Sequence, residues 1–191
     1  MKTSTKVWIG VAIVAVLIIF WIIGGYNTFV TLDQNVNSKW SEVESQYQRQ
    51  ADLIPNLVSV VSSAVKVETN FVKDVVAART NWQAATTQIQ KDAAGQQMAS
   101  GLSSLMVSVE AYPTLQANKQ YVALTDELSG TQNRITVARG NYITSIQAYN
   151  TATKMFPTNI LAKVFGFSGK DYYKADANAT ETPTLGTGTL P

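Results

Sequence analysis

The chain of 191 residues contains no cysteine and no histidine. Without cysteine there is no disulfide scaffold, no thiolate nucleophile, no Cys-based zinc or iron–sulfur site and no lipidated cysteine. Without histidine the usual general base and the commonest transition-metal ligand are missing. Only carboxylate, Lys, Ser/Thr or Tyr chemistry is left, and its motifs are absent too. No serine sits in a G-x-S-x-G elbow or beside an S-x-x-K lysine. Glu42 and Glu44, two residues apart, diverge around a helix, and Asp126 and Glu127 are adjacent and solvated. There is no D-x-D-x-D-G loop, and bundle di-metal sites need the Glu-x-x-His pairs this chain cannot make. The sequence therefore predicts a non-enzymatic protein with no cofactor and no metal. One-signed charge is scarce as well: the net charge is +2, and Lys2 and Lys6 carry the whole excess. No basic run with interleaved aromatics exists, which argues against nucleic acid as a partner.

What is present begins with Val7–Gly25, VWIGVAIVAVLIIFWIIGG, free of charge. A spanning helix needs about 20 apolar residues to cross a hydrocarbon core of about 30 Å. Trp8, Trp21 and Tyr26 stand near its ends, where indole and phenol rings favour the headgroup level. The run exceeds the h-region of a cleaved signal peptide, and no A-x-A site follows. The expectation is an uncleaved signal anchor at 7–25 behind a cytoplasmic tail at 1–6. Lys2 and Lys6 precede it and Lys39 is the first basic residue after it, so the positive-inside rule puts the N-terminus inside. Residues 26–174 then form a domain outside the bacterial cytoplasmic membrane, periplasmic or extracellular. Residues 175–191, ADANATETPTLGTGTLP, lack periodicity and read as a flexible tail.

The domain is patterned as helix throughout. Phe29, Leu32, Val36, Trp40, Val43, Tyr47, Leu53 and Ile54 recur every three or four residues. With no proline before Ile54, the spanning helix can run into this one, with Gly24-Gly25 the soft point. Pro55 is expected to break or kink it. A second helix is expected over Leu57, Val61, Ala64, Phe71, Val75, Ala78 and Trp82. Ala84–Gln97, rich in Ala, Thr, Gln and Gly, reads as a loop with frayed helical ends, although Thr87-x-x-Gln90 fits a capping box. A third helix carries Met98, Leu102, Leu105 and Val109 and ends at Tyr112-Pro113. The fourth, Thr114–Thr153, has the cleanest repeat: Tyr121, Leu124, Leu128, Thr131, Ile135, Ala138, Tyr142, Ser145 and Tyr149. Gly130 and Gly140 within it suggest a close neighbour or a bend. The fold class expected is all-α, an N-terminal transmembrane helix followed by an elongated up-and-down four-helix bundle.

Several fragments stand together in one order: QYQRQADLIPNLV at 46–58, EAYPTLQA at 110–117, SGTQNRITVAR at 129–139, and Tyr149-Asn150 leading to Phe156-Pro157-Thr158-Asn159. From Tyr26-Asn27 to Tyr173, anchor included, the chain resembles the LemA family. The resemblance implies a bundle with four main helices and an envelope location; some relatives belong to membrane-organelle systems. It implies no particular biochemical activity. Gln132 stands where the family usually has Glu, Tyr142-Ile143 where it usually has Tyr-Asn, and the tail is Gly/Thr-rich where the family often returns to an apolar segment.

Arg49, Asp52, Glu68, Arg79, Glu110 and Arg139 are the charged residues that coincide with the family motifs. They form either an ion-pair network tying helices together or a polar site for a ligand, and the cost of an unpaired buried charge favours the network. Pro55 with Asn56 and Tyr112 with Pro113 lie at expected helix junctions and either set bundle geometry or form a recognition surface. Val58, Val65 and Val72 make a second apolar stripe on the expected second helix. Its cover is either the chain's own Ile160–Phe167 or another subunit, so Val58, Val65 and Val72 are candidate interface residues of a homo-oligomer. The partners expected are the bilayer, further copies of the chain and other envelope proteins. The function expected is a membrane-anchored scaffold or interaction protein of the envelope, or alternatively an envelope sensor that binds a ligand.

Overall fold

The computed structural model describes residues 3–64 and 69–172, and these are all-helical, with no strand among them. Six helices follow one another: α1 Thr3–Ala64, α2 Thr69–Ala84, α3 Gln88–Val109, α4 Pro113–Gln116, α5 Lys119–Lys154 and α6 Thr158–Phe165. Glu68, Val65 and the tail at 175–191 lie outside the described residues.

α1 is one helix of 62 residues. At 1.5 Å per residue it is about 93 Å long. It runs without interruption through Gly24-Gly25 and through Pro55, which corrects the expected break. A proline deprives the carbonyl four residues back of its donor. Here that carbonyl is Ala51 O, and the Arg79 Nε on α2 donates to it at 2.9 Å. The bond that Pro55 removes is thus replaced from a neighbouring helix. Consequently Leu57 and Val61 belong to α1, and α2 starts only at Thr69.

The expected loop at Ala84–Gln97 is also corrected. α3 starts at Gln88 behind a complete capping box in which the Thr87 side chain accepts from Gln90 N and the Gln90 side chain accepts from Thr87 N. Two orphan donors are satisfied reciprocally, which lets an Ala- and Gln-rich stretch start a helix. The expected fourth helix is divided: Pro113–Gln116 forms a short turn, and the Asn118 side chain then caps α5 by accepting from Gln120 N and Tyr121 N.

α1 and α5 pack antiparallel: Arg49 meets Glu127, Trp40 meets Tyr142 and Phe29 meets Tyr149. α2 and α3 form an antiparallel pair that docks on the distal half of α1. The interior carries the apolar residues of the expected repeats, among them Val36, Val43, Ile54, Leu57, Met98, Leu105, Leu128 and Ile135, all buried. Gly130 and Gly140 meet no neighbouring backbone, which removes the close-neighbour alternative of the two expected. The valine stripe is not one face of one helix. Val58 on α1 and Val72 on α2 are half-buried against the same core. Nor does Ile160–Phe167 cover them: α6 buries Leu161 and Ala162 against Phe29, at the other end of the domain.

Residues 7–21 lie alongside none of this, and the domain first meets α1 at Ile22 and Gly25. Val7 to Ile23 are largely exposed, and α1 contains the one helix segment among the described residues long and apolar enough to cross a membrane.

Candidate functional site

The polar centre of the domain is Asp92, a carboxylate left 4 % exposed on α3. The Tyr47 hydroxyl of α1 donates to its Oδ1 at 2.9 Å. Gln96 Nε2, one turn on, donates to Oδ2 at 2.8 Å, and Arg139 Nη2 of α5 reaches Oδ2 at 3.3 Å. Three helices therefore converge on one anion. Beside it the Tyr142 hydroxyl donates to Gln88 Oε1 at 3.1 Å. Lys91 pairs with Glu44 and lies over the Trp82 ring, 5.5 Å from its centroid. Gln50, buried on α1, donates through Nε2 to Gln132 Oε1 at 3.1 Å, so Gln132 takes part in an amide pair in place of the charge its family position usually carries.

The local sequence explains the convergence. Gly95 follows Asp92 by three residues, and the Tyr47 ring lies on it. A Cβ at Gly95 would stand 2.4–2.7 Å from three atoms of that ring. The missing side chain is what lets the phenol cross α3 and reach Asp92. Burial, then the Asp92 charge and the hydrogen bond to it, push the Tyr47 phenol well above the ordinary tyrosine range, against the opposing pull of Arg139. Burial, followed by the Asp92 charge, likewise raises Tyr142. Both phenols therefore stay protonated at neutral pH and act as hydrogen-bond donors. Both Asp92 oxygens accept from side chains of this chain, an arrangement that fixes the register of α1, α3 and α5.

Most of the motif residues act singly rather than together. Arg49 pairs with Glu127 at 2.6 Å, and Arg134 reaches the same carboxylate oxygen at 3.5 Å. Asp52 accepts from Gln48 within α1 at 2.7 Å. Arg79 serves the Ala51 carbonyl, and Pro55 and Asn56 are exposed on α1. Glu110 caps the end of α3, while Tyr112 and Pro113 open α4. Tyr149 and Asn150 are buried near the base of α5. The Asn150 amide donates to Lys170 O and accepts from Lys170 N, each at 2.7 Å, which pins the chain after α6. Phe156-Pro157 is a cis bond leading into α6, with the Phe156 ring exposed. Of the residues singled out in sequence, only Arg139 belongs to the Asp92 cluster. Tyr47 reads in sequence only as a core position of its helix, and Asp92 and Gln96 carry no motif. The capping box marked the start of α3, and stepping the Met98, Leu102, Leu105 register back by threes leads to Gly95 and Asp92.

Among the described residues no group of His, Cys, Asp or Glu is arranged to hold a metal ion. The clefts are open. One of about 700 Å³ runs between α1 and α5, lined by Ser38, Ser41, Ser45, Asn133 and Asn141. Another of about 670 Å³ lies over Asp92, flanked by Trp40, Gln88, Gln96 and Tyr172.

These features define an all-helical protein with one long apolar N-terminal helix and a polar register lock in its domain. The LemA family pattern matches residues 39–186, and the chain belongs to that family. It is 27 % identical over 186 residues to Magnetosome protein MamQ 2 and to Magnetosome protein MamQ 1 of Paramagnetospirillum magneticum, covering 84 % of this chain and 68 % of each relative. Magnetosome protein MamQ of Magnetospirillum gryphiswaldense matches at the same identity and coverage.

Proposed function

We propose that this chain is a single-pass, non-enzymatic scaffold or interaction protein of the bacterial envelope. Residues 7–25 anchor it in the cytoplasmic membrane with the N-terminus inside, and the domain is presented outside. The observation that carries this reading is α1 itself. Anchor and domain share one unbroken helix, so the domain is held at a fixed height and attitude over the bilayer. The partnered Asp92 oxygens favour a structural over a chemical role for the polar centre. The lysines before the apolar run support the orientation. The likeness to proteins named for the magnetosome supports a role at a membrane.

Self-association belongs to the same reading, because confinement in a plane raises effective concentration. The valine stripe does not carry it; Gly10, Ala12 and Ala15 on the anchor permit close helix approach. The groove over Asp92 favours a second reading, an envelope sensor with a ligand between Trp40 and Tyr172. Cross-linking and affinity capture from membranes test both. The scaffold reading expects discrete envelope proteins, or further copies, on the full chain and not on a variant lacking residues 1–25. A small molecule retained by the purified chain and lost on Trp40→Ala would favour the sensor instead.

A further inference from the structure

α6 is amphipathic in an unusual place. Its buried face, Leu161 and Ala162, packs on Phe29 with Ile22 and Phe167 alongside, and Leu161 seats directly on Gly25. Tyr26 meets Phe165 edge-on at 5.1 Å and Phe167 at 5.7 Å. α6 is thereby clamped against α1 at residues 22–29, where the apolar run of the anchor ends. Its outer side also exposes apolar residues, Val164 at 70 % and Ile160 at 49 %, and in the turn before it Phe156 is 79 % exposed and Met155 58 %. Ile160 and Val164 lie one turn apart and so share a side of the helix. From Lys154 to Lys170 the chain has three lysines and no acidic residue.

We propose that α6 and the Met155–Pro157 turn form a second membrane contact, a foot that dips into the leaflet from which α1 emerges. The patch belongs to the helix clamped where the apolar run of the anchor ends, and that neighbourhood selects the bilayer as its occupant. A short helix with one apolar face and flanking lysines suits the headgroup–acyl boundary, where such faces bury to about 5–10 Å. Lys154 and Lys163 would meet anionic headgroups, adding electrostatic attraction to the apolar contact. Two contacts fixed to each other through Gly25 and Phe29 would set the tilt of α1 as well as its depth. The inference rests on reading residues 7–25 as a span.

Because the chain has no cysteine, single spin labels can be placed cleanly. Val164→Cys, Ile13→Cys and Val137→Cys variants of the full chain, labelled and reconstituted in vesicles of phosphatidylethanolamine and phosphatidylglycerol, report depth by power saturation with oxygen against a nickel chelate. All three positions are exposed, so each variant should fold. The foot predicts an oxygen-to-nickel accessibility ratio at Val164→Cys several-fold above that at Val137→Cys and below that at Ile13→Cys. A Val164→Cys label as water-accessible as the Val137→Cys label, with Ile13→Cys buried in lipid, overturns the foot and leaves the span standing. Dipolar broadening between Val164→Cys labels without lipid immersion overturns it in favour of a second copy. An aqueous Ile13→Cys label overturns span and foot together.

Discussion

Asp92 shows how one buried charge can organise three helices. Its oxygens accept from Tyr47, Gln96 and Arg139, so truncating it strands three donors at once. Breaking a buried ion pair from one side is costly because the partner charge remains. Asp92→Ala should therefore cost about 3 kcal/mol, read from thermal or denaturant unfolding in detergent. Asp92→Asn should cost nearly as much, since its amide presents donors to donors; full tolerance of Asn would mean that shape rather than charge matters there. Tyr47 gives a pH dependence of definite sign. Its phenol is held above the ordinary tyrosine value near 10 in the folded chain. Below that value both states keep the proton and stability is unaffected. Above it the unfolded chain ionises first, so stability falls as pH rises beyond about 10. Circular dichroism against pH should show this loss, and Tyr47→Phe, although less stable at neutral pH, should show a shallower alkaline decline.

Among the elements, α1 departs furthest from its sequence pattern. Helical periodicity was legible because burial repeats every three or four residues, and Phe29, Val36, Trp40, Val43 and Tyr47 are all buried as that spacing requires. The continuation past Pro55 was not legible, because the donor that replaces its missing N–H comes from Arg79, 28 residues from Ala51. The helical start of α3 was hidden by Ala, Gln and Gly, whose apolar signal is weak, while the partners that make Asp92 buriable lie on other helices. Likewise Val58 and Val72 fall on two different helices, because α1 continues past Pro55 to Ala64 and α2 starts only at Thr69. The Pro55–Arg79 relation is open to a double-mutant cycle. Arg79→Ala should cost about 1 kcal/mol more in the natural chain than in a Pro55→Ala background, where Ala51 O regains its intrahelical donor. Zero coupling would mean that Arg79 acts independently of the proline.

On the scale of the whole molecule, a continuous α1 joins an exposed apolar segment to a helical domain. On the proposed reading lipid would surround the exposed Val7–Trp21 stretch, while the α2–α3 pair packs beside Glu44–Ala51 further along the helix. The proposed orientation rests on Lys2 and Lys6 alone, and a direct test is available. Substituted-cysteine labelling with a membrane-impermeant maleimide on intact spheroplasts suits a chain without cysteine. Asn56→Cys, exposed on the distal part of α1, should label fully without lysis, whereas Ser4→Cys should label only after the membrane is opened. Labelling of Ser4→Cys in intact spheroplasts, with Asn56→Cys protected, would place the domain in the cytoplasm and contradict the account.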